Sequence, residues 1–221
     1  MSAVGRTVSR ARALSVALVV ALLATSAPAF AQDEGVQVRG VAFAGSMRFT
    51  SSDSFDAVLG SASGPIVGGG GQVILPLGVY FEVTAWRYSA DGERVFVGPD
   101  GDVFHLGIPV SVTVTPIEVT AGWRFRLRTP KLVPYVGGGW TSARYQESSE
   151  FADAEEEADS RHSGFHLVGG AEFRALPWLG VGGEVAWSRV PDALGDAGVS
   201  AAFDENDLGG TSLRVKITLG R

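Results

Sequence analysis

From residue 36 onward, apolar and polar residues take turns along most of the chain. Near the C-terminus Leu213, Val215, Ile217 and Leu219 alternate with Arg214, Lys216 and Thr218. Upstream, Ile117, Val119, Ala121, Trp123, Phe125 and Leu127 alternate with Glu118, Thr120, Gly122, Arg124, Arg126 and Arg128. A period of two marks a strand with one apolar and one polar face. Such segments predict eight strands, roughly 36–49, 66–75, 78–88, 117–127, 133–145, 163–175, 178–190 and 208–220. Tight connections (75–78, 128–133, 176–178) alternate with long ones at 50–65, 89–107, 146–162 and 191–207, which are rich in Asp, Glu, Gly and Ser. The stretch 103–127 contains Pro109 and Pro116 and can be one strand or two. One long strand over 108–127 keeps the strand number even and all long loops on one side, so eight is preferred.

Parity then sorts the side chains. One face collects Val41, Phe43, Met47, Phe49, Val73, Leu75, Val79, Phe81, Val83, Ala85, Phe165, Leu167, Ala171, Phe173, Leu179, Val181, Val185 and Trp187. The other collects Arg48, Gln72, Glu82, Glu118, Arg124, Arg126, His166, Glu172, Arg174, Glu184, Arg214 and Lys216. An eight-stranded barrel has an interior only wide enough for side chains to fill. A dozen polar groups cannot make the apolar core that a water-soluble barrel requires. The apolar face therefore points to lipid and the charges line the lumen. The expected fold is all-β: an eight-stranded antiparallel transmembrane β-barrel with short periplasmic turns and long extracellular loops. A soluble periplasmic barrel, with the faces exchanged, is the opposing reading. Phe125, Tyr135 and Trp178 near the tight turns, with Trp86 and Trp187 near the long loops, are expected to form two interfacial aromatic belts.

The N-terminus changes the picture of where the barrel goes. Arg6, Arg10 and Arg12 precede the uncharged apolar run Ala13 to Ala24, and Ala29-Phe30-Ala31 supplies a small-x-small site. This is the pattern of a secretory signal, residues 1–31, with cleavage after Ala31 and a barrel domain over 32–221. The run is shorter than the ~20 residues of a spanning helix. The whole chain carries a formal charge of −6, and removing the three signal arginines makes it more negative. Such a balance disfavours nucleic acid as a partner. The chain has no cysteine, which excludes disulfides, thiol catalysis and thiolate-bound metals. Glycine runs at 68–71, 137–139, 169–170 and 182–183 fall inside strands, where they mark bends and close backbone approach. None stands between a strand and a helix or precedes a Lys-Ser/Thr pair, so a phosphate cradle is disfavoured.

Two short motifs add a resemblance. Thr115-Pro116-Ile117-Glu118-Val119-Thr120-Ala121-Gly122-Trp123-Arg124-Phe125 and Val133-Pro134-Tyr135-Val136-Gly137-Gly138-Gly139 resemble strands of the small outer-membrane β-barrel family, of the OmpW/OmpX-like kind. The resemblance covers most of 36–221 and rests on short architectural motifs. It implies a monomer in the bacterial outer membrane, with outer-membrane lipids, lipopolysaccharide and the barrel-assembly machinery as partners. It also suggests passage of small hydrophobic molecules through a lateral opening. Where the family usually ends in an aromatic residue, this chain has Leu219-Gly220-Arg221.

Chemistry is sparse. Of the histidines His105, His162 and His166, only His166 falls on the lumen face. None matches the His-x-Ser-Asn run of barrels resembling lipid-A-trimming enzymes, and no nucleophile and base can be paired. The chain is expected to be non-enzymatic and to need no cofactor. Its lumen network is Glu82, Glu118, Arg124, Arg126, His166, Glu172, Arg174, Glu184, Arg214 and Lys216, which would block an open pore and allow at most small or gated conductance. The acidic loop residues Glu147, Glu150, Asp153, Glu155, Glu156, Glu157 and Asp159 face only Arg161. They lack the spaced ligands and fixed glycine of a tight cation site, and are expected to be a solvated, self-repelling loop, as are Asp204, Glu205 and Asp207. Besides the plugged barrel, a surface adhesion module acting through 50–65, 89–107, 146–162 and 191–207 stays open. So does a lipid-A-modifying enzyme dependent on His166.

Overall fold

The computed structural model describes residues 35–98, 100–127, 129, 131–149, 158–194 and 198–221. The expected signal segment, with its cleavage after Ala31, lies outside the described residues. Alternating sequence becomes alternating burial along much of the strands: β1 (Gln37–Phe49), β2 (Ser63–Ile74), β3 (Val79–Val97), β4 (Val103–Arg124), β5 (Leu132–Ser148), β6 (Ala158–Leu176), β7 (Leu179–Arg189) and β8 (Gly210–Gly220). Each pairs antiparallel with the next, and β8 returns to β1 with Ala42 opposite Ile217, which closes an eight-stranded barrel with no free sheet edge. Two short helices sit in the long connections, α1 (Ser52–Leu59) after β1 and α2 (Gly198–Ala202) before β8. Gly60, at φ 73°, ends α1 by donating its N–H to the Asp56 carbonyl, a left-handed conformation that glycine adopts at little cost.

The apolar face points outward. Phe81, Val83, Ile117, Val119, Val136, Leu167, Val181, Leu213, Val215, Ile217 and Leu219 are all exposed on the barrel wall. Outward rings border this belt at both ends: Trp140, Phe165 and Trp187 toward the loops, and Trp123, Phe125 and Trp178 toward the turns. Trp86 and Tyr135 do not belong to these rings. Both are buried in the lumen, because each has a polar atom that a buried carboxylate accepts from.

Three other expectations change. The segment 89–107 is no loop. β3 and β4 run on as one ladder past Tyr88↔Val114 to Val97↔Val103, with a register shift after Glu93. Likewise β5 and β6 extend to Glu147↔Ala158, into the expected 146–162 loop. The single strand preferred within 103–127 is borne out, running through both prolines from Val103 to Arg124. Between Ala85↔Ile117 and Tyr88↔Val114 the ladder toward β3 is interrupted where Pro116 lacks an N–H, while Pro116 stays paired with Ala143 of β5. Finally, β1 is turned over. Val41, Phe43, Met47 and Phe49 face inward and Arg48 outward, because the loop-side half of the interior needs bulk and β1 supplies it.

That half is an apolar storey. Met47, Phe49, Ile66, Trp86, Tyr88, Val112, Val114, Ala143 and Val190 pack around Phe55 of α1, whose ring stacks on Phe49 at 4.2 Å. The turn-side half is polar, with Tyr80 and Tyr135 crossed edge to face at 6.0 Å. Glycines make room for these rings. A Cβ on Gly122 would lie 2.6 Å from Tyr80, and one on Gly170 would lie 2.7 Å from Tyr135. Unheated protein in SDS is expected to migrate apart from boiled protein and to leave envelopes only with detergent. A single heat-independent band from a detergent-free extract would contradict the barrel's polarity.

Candidate functional site

Parity brings four carboxylates and four cations into the barrel: Glu82 from β3, Glu118 and Arg124 from β4, Glu172 from β6, Glu184 from β7, Arg39 from β1, and Arg214 with Lys216 from β8. All are buried. Next to the apolar storey, Arg214 grips Glu118 with both terminal nitrogens at 2.8 Å. It also reaches Glu184 at 3.4 Å and covers the Phe43 ring at 4.9 Å. Trp86 Nε1 donates to Glu118 at 2.8 Å. One layer down, Lys216 Nζ bridges Glu82 and Glu184, at 2.7 Å from each. Gln72 donates to Glu82 at 2.8 Å and the Tyr135 hydroxyl to Glu184 at 3.0 Å. At the turn side, Glu172 meets Arg39 at 2.8 Å and Arg124 at 2.9 Å, and accepts from Thr218 at 3.1 Å.

The pairing is what makes the burial tolerable. An isolated charge in such a place would cost several kcal/mol, and attraction repays it only when geometry and remaining hydrogen bonds are good. Four against four leaves the buried set neutral. Space is also used up: around Gln72, Arg124, Tyr135, Glu172, Lys216 and Thr218 no gap admits a water molecule.

Eight of the ten lumen residues expected from sequence lie within the packed interior, though in unequal roles. His166 stands apart from the carboxylates, held between the Thr120 and Thr141 hydroxyls at 2.8 Å each. With one ring N–H, it donates to one threonine and accepts from the other, so the ring is satisfied and held. Arg174 is at the rim, half-buried and 3.8 Å from Glu172. Arg126 is a correction. It lies beyond the end of β4, where the alternation no longer aims it inward, and it is exposed. Arg39 was missed. It and Arg48 have opposite parity, so only one can face in, and Arg48 sits near the loop-side end of β1, where an outward charge reaches water.

Outside, Glu147 accepts from the Tyr145 hydroxyl at 3.0 Å. Asp159 pairs with Arg144 on the neighbouring strand, and that hydrogen-bonded guanidinium holds its carboxyl below the usual range. Glu150, Asp153, Glu155, Glu156 and Glu157 lie outside the described residues. Glu205 and Asp207 are not self-repelling loop charges. Glu205 accepts from the first backbone N–H groups of α1, Asp53 at 3.1 Å and Ser54 at 2.8 Å, while Asp207 accepts from Val190 N at 2.7 Å and Gly209 N at 2.8 Å. They staple the loops to the barrel mouth.

The model of the outer membrane protein beta-barrel domain family matches residues 17–217. The chain belongs to this family. Among solved structures it is similar to Neisserial surface protein A, at 13% identity and a TM-score of 0.54, covering 85% of this chain and 97% of that one. It is also similar to OprG of Pseudomonas aeruginosa, at 11% identity and 0.50, covering 86% and 97%. A major outer membrane protein of Thermus thermophilus matches at 13% and 0.50, covering 83% and 99%. No curated protein sequence matches. The chain is therefore a small outer-membrane β-barrel protein, and the bacterial outer membrane is its place.

Replacing Arg214→Met strands Glu118 in the lumen. It is expected to cost about 3–5 kcal/mol in urea unfolding from lipid, and a further Glu118→Gln is expected to recover much of that loss. A single variant as stable as the parent would show that the pairing does not hold the barrel.

Proposed function

We propose that this protein is a closed, non-enzymatic barrel that acts through what it presents outside the membrane. The observation that carries this reading is the packed middle of the barrel, where no gap admits water among the ions around Gln72, Tyr135, Glu172 and Lys216 and the α1-capped apolar storey fills the loop side above them. Lateral passage of small hydrophobic molecules is favoured less, since it needs an opening between neighbouring strands: the closing β1–β8 seam is paired without a break, and the interruption of β3–β4 at Pro116 is confined to the pairs between Ala85↔Ile117 and Tyr88↔Val114. Beyond the membrane, the β3–β4 hairpin carries exposed Phe96 and Phe104, with rings 6.5 Å apart, as a surface for a binding partner.

The wall itself suits lipopolysaccharide. Arg161 of β6 stands opposite Arg144 of β5 just past the apolar belt; both are exposed, and Arg144 holds Asp159. Guanidinium groups at that height complement phosphates of the outer leaflet. Insertion by the barrel-assembly machinery as a monomer completes the reading. His166 is assigned no reaction, because its ring is enclosed away from lipid.

In planar bilayers the purified barrel is expected to give no steady open state. Large, lasting single-channel currents would overturn the closed-lumen function.

A further inference from the structure

Arginine outnumbers its partners at the turn-side mouth of the barrel. Arg39, Arg124 and Arg174 all converge on Glu172, at 2.8, 2.9 and 3.8 Å. Arg126 follows just outside. Among the described residues, three guanidinium groups thus share a single carboxylate, with the exposed Arg126 beside the same cavity. The surplus shows in the hydrogen bonds. The Nε–H groups of Arg39 and Arg124 are buried and have no hydrogen-bond partner among the described residues, although those side chains are only 5% and 4% exposed, and the buried Nε–H of Arg174 comes no closer to Glu172 than the 3.8 Å of its ion pair. Burying a charged donor in this state is costly, so something of opposite charge gains by meeting it.

The place for it is beside them. A cavity of about 310 Å³ opens at this mouth, lined by Arg124, Arg126 and Arg174 together with Ile74 and Leu132. Its volume is that of a small-ligand pocket. The deeper layers offer no such surplus, since Arg214 and Lys216 there face three carboxylates, Glu82, Glu118 and Glu184. Within the described lumen, positive charge is therefore concentrated on the periplasmic side.

We propose that this vestibule is an anion site, built to take a phosphate group presented from the periplasm. Arginine forks match phosphate oxygens with two parallel hydrogen bonds, and a doubly charged oxyanion balances the mouth as carboxylate Glu172 alone does not. Glu172 is the repulsive group among the described residues of the cluster, and its oxygens are engaged by Arg39, Arg124 and Thr218. Ile74 and Leu132 give the pocket an apolar wall, which suits a phosphoester with a short carbon skeleton as well as the free ion. The site does not depend on the lumen being closed.

Calorimetric titration of the purified barrel in detergent tests this, using inorganic phosphate and glycerol phosphate over a constant chloride background. Saturable binding of at least one is expected, weakened at least tenfold in Arg126→Gln/Arg174→Gln. Both substitutions lie at the rim, and the heat-dependent gel shift checks that the variant is folded. Tighter binding of glycerol phosphate assigns the site to a phosphoester headgroup, and tighter binding of inorganic phosphate assigns it to the free ion. The proposal fails if the parent shows no saturable heat or if the double variant binds equally well. It also fails if phosphate binds only after Asp33→Asn/Glu34→Gln, since the chain's own carboxylates would then be the occupant.

Discussion

Eight strands enclose too little room for bulk water, so each charge aimed inward must find its opposite among neighbouring side chains. That constraint orders the rest of the protein. Glu118 is matched by the fork of Arg214, Glu82 and Glu184 by the single ammonium of Lys216, and Glu172 by Arg39 and Arg124. The partners come from strands far apart in sequence: Arg39 and Glu172 are separated by 133 residues, Lys216 and Glu82 by 134. The ion pairs therefore tie opposite walls of the barrel together across its axis. They also fix strand register, because a slip of one residue would turn Arg214 and Lys216 into lipid.

The two storeys divide the work. On the turn side, polar contacts give a rigid filling whose surplus positive charge lies at the turn-side mouth. On the loop side, α1 folds into the mouth and Phe55 stacks on Phe49, so the outer end is shut by apolar packing. Glu205 and Asp207 fasten the connections above it through backbone N–H groups. The long β3–β4 and β5–β6 hairpins then stand on a closed base, which is why function is placed on their outer surfaces.

Much of this was legible in the chain because lipid and lumen impose opposite demands on alternate residues. β8, with Arg214 and Lys216 between Leu213, Val215 and Ile217, could be oriented from sequence alone. β1 could not, since it is apolar on both faces: Val41 and Phe43 look like lipid residues until the apolar storey that needs them is known. Trp86 and Tyr135 were misplaced for a related reason. An aromatic ring with a polar atom suits a membrane interface and a buried carboxylate equally well, and only the register puts Glu118 and Glu184 within reach. The hairpin at 89–107 was hidden by its composition, because strands beyond the membrane need no apolar face. Asp207 and Glu205 looked like solvated charge because their partners are backbone N–H groups, which sequence patterning does not reveal.

The inverted polarity of the wall is tested most directly by magnetisation transfer between lipid acyl chains and side-chain methyls, in methyl-labelled protein held in lipid nanodiscs. Contacts from acyl chains to Val83, Leu213, Val215 and Ile217 are expected, with none to Val41, Met47 or Ile66. Acyl-chain contacts at Val41 and Met47, with Leu213 and Ile217 silent, would contradict a barrel that carries its ions inside.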